Sequence, residues 1–240
     1  IKLDAIDSTN SFLKELAQNS SLENYTIVTT KEQNNGRGQM GTQWVSEPNK
    51  NLLCSVYIAF DKFPVADKVF INYAVSLAII YTLEKFKLPK LAIKWPNDIL
   101  SSNRKICGVL VENVMQRMEI KSAIIGIGIN VNQEVFPDQL INVTSIKKEM
   151  KHDVDVDDLL HKLVEELKTC IAFITNSTPN ILKKNYLKLL YKKNIPTMFK
   201  NSKDVLFMGK IIGVSLQGKL QIELEDESIQ EFGIKEVSFA

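Results

Sequence analysis

Histidine is almost missing from this 240-residue chain: His152 and His161 are the only two. With so few, neither a histidine-based zinc set nor a Ser-His-Asp triad can be assembled from the sequence. Cysteine is scarce as well. Cys54, Cys107 and Cys170 are odd in number, far apart and never in a CxxC pair. That argues against a disulfide framework and suits three ordinary buried thiols in a reducing, cytoplasmic setting. A large excess of one charge is lacking too: 30 Lys+Arg against 28 Asp+Glu leave a formal net charge of +2, with a pI near 8.3. This is too little to argue for nucleic acid or an anionic membrane surface as a partner. No uninterrupted apolar run approaches the ~18 residues a bilayer span requires. No charged-then-apolar leader opens the chain, and there are no internal repeats.

What is present is an ordinary globular composition, 45% hydrophobic and 24% charged. The length suits one large domain, or one large and one small. IKLDAI, YTIVTT and NLLCSVYIAF read as strands on their β-branched and aromatic content. DSTN supplies helix-start residues before an apolar stripe of Phe12, Leu13, Leu16 and Ala17. Asp67 to Phe86 repeats apolar residues at helical spacing, which predicts a long amphipathic helix ended by Pro89. LAIKW, KICGVLVENV and EIKSAIIGIGINVN read as further strands. Asp155 to Thr175 predicts a second long helix with acids in its first turn. STPNILKKNYLKLLYKKN predicts a third, with Thr178 as cap and Pro179 at the first helical position. Beyond a junction near Lys193 the pattern changes to short strands, with turns at Gln217-Gly218 and Asp226-Glu227. The expected architecture is α+β for residues 1–192, followed by a small β barrel over 193–240.

Four stretches carry possible chemistry. In NNGRGQMGTQW (34–44), three of the chain's 10 glycines surround Arg37 and Trp44 closes the run. Glycines let backbone approach a ligand, Arg37 offers a fork of donors for a carboxylate or phosphate, and Trp44 offers a face for a purine. The plain alternative is a surface loop ending in a core tryptophan. KWPNDIL (94–100) reads as a bend that sets Asn97 and Asp98 at a pocket edge, or as a turn whose polar groups satisfy local backbone. In RKICGVLVE (104–112), alternation puts Gly108, Leu110 and Glu112 on one face, with Lys105 at the strand mouth; a solvated Lys-Arg pair is the alternative. In IIGIGINVN (124–132), Ile125, Ile127, Ile129 and Val131 take one face and Gly126, Gly128, Asn130 and Asn132 the other. The bare face admits either a ligand or a closely packed helix.

These stretches stand together in the order of one known family. The chain resembles the biotin protein ligases, also called biotin–acetyl-CoA-carboxylase ligases, from about Leu3 to its C-terminus. DSTN, GRGxxGxxW, KWPND, RKxxGxLVE and GIGxNxN each look like a family motif, and five ordered matches are far more specific than one. The resemblance implies a mixed central sheet with flanking helices, of the class II synthetase-like or biotin–lipoate ligase type, plus a small C-terminal SH3-like barrel. It implies an enzyme that activates biotin with Mg-ATP as biotinyl-5′-AMP and transfers it to a lysine of a biotin carboxyl carrier domain. Magnesium is expected to arrive with ATP rather than in a protein-built metal site. Pairing of two copies through the central sheet is allowed.

By the same resemblance, Ser8, Thr9, Asn10 and Gln33 contact biotin, with Arg37, Gly38, Gln39, Lys105 and Gly108. Arg37, Trp44, Lys94, Asn97, Lys105, Gly126, Gly128 and Asn130 are implied at ATP and the adenylate. Lys105, Arg37 and Asp98 are implied in catalysis, Asp98 near the incoming lysine. Similar loops carry further arginines where this one has Gln39 and Met40, so less positive charge is expected to retain the adenylate. No winged helix-turn-helix segment precedes Ile1, so the form without a DNA-binding domain is expected. A lipoate–protein ligase of the same fold, a biotin-sensing repressor and a binding protein without turnover are the rival readings.

Overall fold

Each predicted strand stretch of the first 130 residues becomes a strand of one sheet. In a computed structural model, described here for residues 1–175 and 178–240, the order of elements is as follows. β1 (Lys2–Ile6), α1 (Thr9–Asn19), β2 (Ile27–Gln33), β3 (Leu52–Pro64) and α2 (Val69–Lys85) come first. β4 (Leu91–Lys94), β5 (Asp98–Ser101), β6 (Arg104–Gln116) and β7 (Glu119–Ile129) complete the sheet. Its order is β1-β2-β3-β7-β6-β5-β4, with β1 parallel to β2 and every other pair antiparallel. The bend expected in KWPND is real: a cis Trp95–Pro96 peptide lies between β4 and β5. What pattern reading missed is that Asp98 opens a strand of its own.

The sheet has two unlike faces. Ile125, Ile127 and Ile129 of β7 join the main core, whereas Ile124 packs with Leu13 of α1 and Val28 of β2 in a smaller cluster. The alternation read from the sequence therefore separates the two sides correctly. The main core contains α2, and here the amphipathic expectation fails. Every residue of α2 except Asn72, Tyr81, Glu84 and Lys85 is buried. Ile71, Val75, Ile79 and Ile80 lie off the counted stripe and are also apolar and fully enclosed. The helix is covered all round because it packs against β4, β5, α4 (Val156–Thr175) and α5 (Pro179–Leu189). Residues Val65–Lys85 are long and apolar enough to cross a membrane, but most of that stretch is buried inside the protein.

α3 (Ile146–Met150), capped by Ser145, was not foreseen. α4 begins with Asp157 and Asp158 in its first turn, as expected. The third predicted helix, α5, starts at Pro179; Ser177, where the prediction began, lies outside the described residues. Thr178 does not cap it: its hydroxyl turns back to donate to the Phe173 carbonyl at 3.2 Å. α5 also stops before the predicted Asn194. Leu190 bridges to Ile93, Tyr191 N donates to Ile93 O at 2.8 Å, and Asn194 N donates to Ile211 O at 2.8 Å. Sheet pairing at both ends of this short stretch wins over helix propensity.

The last strands are β8 (Pro196–Asn201), β9 (Leu206–Val214), β10 (Leu220–Leu224), β11 (Ile229–Phe232) and β12 (Val237–Phe239). They form an antiparallel sheet, ordered β11-β10-β9-β8-β12, of the SH3-like kind. Phe199, Phe207, Phe232 and Phe239 stack through it at centroid distances of 5.3–5.7 Å. β8 and β12 lie on either side of the stretch whose pattern predicts strands, and β8 opens on a proline. In urea unfolding, Leu77→Ala in the enclosed helix should cost about 3 kcal/mol. Val114→Ala, 44% exposed near the β6–β7 hairpin end, should stay within about 0.5 kcal/mol.

Candidate active site

Strand register builds the site on the face that carries α1. Gly108 pairs with Gly128 across β6 and β7, Leu110 with Gly126, and Asp98 of β5 with Gly108. Two adjacent strands are thus bare at the same level, with Asp98 beside them. Neither a helix nor open space covers this patch. The Trp44 indole lies on it: a Cβ on Gly128 would sit 2.5 Å from Trp44 Cε2, and one on Gly108 would sit 2.8 Å from Cζ3. At Gly126 an added Cβ would overlap the Asn10 amide. The bare track therefore makes room for two of the protein's own side chains.

The glycine stretch reaches the patch as a short hairpin. Trp44 N donates to Gly36 O at 2.9 Å, Gly38 N to Thr42 O at 2.7 Å, and Arg37 bridges to Gln43. Gly41 takes φ +79°, where a side chain would be strained. Beneath the hairpin is a buried polar cluster. Ser8 caps α1, accepting from Ser11 N. Gln33 Oε1 accepts from Thr9 N at 2.9 Å and from its hydroxyl at 3.1 Å. Ser55 Oγ lies 2.8 Å from Thr9 Oγ1 and 2.6 Å from Asn10 Oδ1. Ser8, Thr9, Asn10 and Ser55 are all buried.

The expected cations are not bare. Arg37 grips both oxygens of Glu112 at 3.1 Å and also reaches Ser11 Oγ at 3.2 Å. Lys14 and Asn10 bind the same carboxylate at 3.2 and 3.0 Å. Lys105 pairs with Asp98 at 2.7 Å and lies 5.5 Å from the Trp44 ring centroid. The register explains this: alternation that carries Gly108 also points Glu112 to this face. Burial pushes the Glu112 carboxyl up, but hydrogen bonds from Arg37, Asn10 and Lys14 outweigh it and hold the group below its usual range.

Between hairpin and sheet runs a cleft of about 280 Å³. Ser8, Thr9, Asn10, Gln33, Arg37, Gly38, Gln39, Trp44, Asn97, Asp98, Lys105, Gly108, Gly126 and Gly128 all border it. Lys94 and Asn130 do not. Lys94 Nζ lies over the Phe239 ring at 5.4 Å. Asn130 Nδ2 donates to Thr144 O at 3.0 Å, and its buried Oδ1 has no partner among the described residues. Asn97 Nδ2 donates to Val109 O. Four participants were given no site role from the sequence. Ser55 was legible as a lone hydroxyl in an apolar strand, and Glu112 as the acid closing its motif. Ile234 and Lys235, which reach the cleft from the second sheet, gave no local signal. Cys54 also borders it, with burial pushing its thiol up to about 12, so it stays protonated.

Residues 3–130, more than half of the chain, match the Biotin/lipoate A/B protein ligase family. The chain belongs to this family. The matched span covers every bordering residue of the first sheet. Over 243 aligned residues the chain is 31% identical to the "Bifunctional ligase/repressor BirA" of Bacillus spizizenii, covering 98% of this chain and 70% of the relative. It is 27% identical over 180 residues to the "Biotin--[acetyl-CoA-carboxylase] ligase" of Mycobacterium tuberculosis, covering 72% and 64% respectively. The same fold occurs in a biotin protein ligase from Aquifex aeolicus solved with biotin and ATP: TM-score 0.80, 24% identity, 100% of this chain and 97% of that one.

Glu112 offers a pH test in this family member. Its folded value is depressed, so its contribution is complete above the ordinary glutamate range (about 4.3) and fades as pH falls through the folded value. Glu112→Gln should cost about 1 kcal/mol at neutral pH, kept small by the 41% and 45% exposure of Arg37 and Lys14. Urea denaturation of both proteins should show this gap constant from neutral to mildly acidic pH and closing on further acidification.

Proposed function

We propose that the chain is a biotin–protein ligase. It joins the carboxylate of biotin to ATP, giving biotinyl-5′-AMP and pyrophosphate, and passes the biotinyl group to a lysine of a biotin carboxyl carrier domain. One observation carries the reading: a single cleft gathers Arg37, Lys105, Trp44 and the glycine patch. Trp44 together with KWPND and GIGIN favours biotin over lipoate.

In the first step a carboxylate oxygen bonds to the α-phosphorus and the bond to pyrophosphate breaks. Two anions must approach, and fixed cations offset their repulsion. Arg37 and Lys105 fill that role by exchanging Glu112 and Asp98 for the ligand's charge. In the second step the lysine amine bonds to the acyl carbon and AMP leaves; Asp98, freed from Lys105, faces the incoming ammonium. Ser8, Thr9, Asn10 and Gln33 suit a ureido head in an otherwise narrow pocket. Gly38 and Gln39 close over the ligand, and Gly108 leaves room for the Trp44 indole that stacks on it. Trp44 stacks on the purine above Gly126 and Gly128, beside Asn97. For Lys94 and Asn130, which lie off the cleft, an adenylate role rests on the family resemblance alone. Magnesium comes bound to the triphosphate.

The division at Lys193, pairing of two copies through the first sheet, and a reducing cytoplasmic setting belong to the same proposal. The three free, buried cysteines support the last. Intact-mass analysis of a carrier domain after exposure to the protein, biotin and Mg-ATP should show one biotinyl addition; lipoate in its place should give none. Arg37→Ala and Lys105→Ala should each slow biotin-dependent pyrophosphate release about 10²-fold, or about 3 kcal/mol. Release at the normal rate from Lys105→Ala would refute its role.

A further inference from the structure

Taken as formal charges, Lys105 and Asp98 cancel, while Arg37 and Lys14 share the single carboxylate of Glu112, so these five groups leave one positive charge. The hairpin itself adds nothing, since Gln39 and Met40 are neutral. One more cation stands at the rim, and it comes from the other sheet. Lys235 Nζ donates to the Met40 carbonyl at 2.9 Å, at the crest of the glycine hairpin. Its ammonium meets a carbonyl there and not a carboxylate, so its charge is not cancelled by that contact.

The turn that presents Lys235 is built. Between β11 and β12, Glu236 N donates to Gly233 O at 3.1 Å, and the Glu236 carboxylate accepts from Gly233 N at 2.5 Å. Lys235 takes φ +68°, a left-handed conformation that is uncommon outside glycine and that closes this turn. Ile234 borders the cleft beside it. A second tie holds this sheet against the site, because Trp95 Nε1 donates to Gly218 O at 3.0 Å.

We propose that Lys235 is a positioning residue of the cleft: it pins the crest of the glycine hairpin through Met40 and adds a further positive charge at the rim. The ligand class it helps to retain is an acyl phosphate anhydride, a statement that rests on the proposed ligase activity; the pin itself does not depend on that activity.

The test compares Lys235→Met, which removes the charge, with Lys235→Arg, which keeps it. In the ligand-free protein, amide hydrogen exchange across residues 36–43 should quicken about tenfold in Lys235→Met and stay near wild type in Lys235→Arg. After a single turnover with biotin and Mg-ATP, loss of the preformed acyl-adenylate should quicken about tenfold in Lys235→Met and stay near wild type in Lys235→Arg. Unchanged exchange in Lys235→Met overturns the pin. Faster exchange with unchanged adenylate loss overturns the charge contribution. If the wild-type protein forms no adenylate, the ligase reading fails, while the exchange comparison still decides the pin.

Discussion

The site depends on one contact, the Trp44 indole laid flat on the paired glycines of β6 and β7. Any side chain at Gly108 or Gly128 would occupy the volume of the ring. The indole is what anchors the far end of the hairpin to the sheet, and Arg37 anchors the near end through Glu112. With both ends fixed, the hairpin backbone between them forms one wall of the cleft. Removing the glycines would not merely fill space; it would lift the hairpin and open the cleft from one side.

A second theme is that charge is stored in pairs. A lone guanidinium or ammonium in a half-buried cleft must remain hydrated or find a counter-ion. This molecule uses internal carboxylates for that purpose, one per cation, on neighbouring strands of the same face. Arg37 and Lys105 keep 41% and 36% of their side-chain surface exposed, so each remains partly hydrated beside its carboxylate.

Much of this was legible in the sequence. Period-two alternation in IIGIGIN separated core face from site face, and the five ordered motifs named most of the residues that border the cleft. The rest failed for identifiable reasons. The counted stripe in α2 marked one face correctly, but Ile71, Val75 and Ile79 on the other faces were read past, so a buried helix looked like a surface one. The end of α5 was set by a β-bridge from a strand some hundred residues earlier, which no local window contains. Lys94 and Asn130 stand in motifs yet turn to Phe239 and Thr144, because side-chain direction at a strand end depends on the neighbouring loop. Lys235 was invisible because its partner is the backbone of a distant residue.

The stretch between α5 and β8 has a mechanical consequence. Tyr191 and Asn194 donate their backbone N–H groups to Ile93 of one sheet and Ile211 of the other. A linker that is hydrogen-bonded at both ends has no slack to bend. It acts as a short strap, fastening an edge strand of the first sheet to the second sheet within four residues.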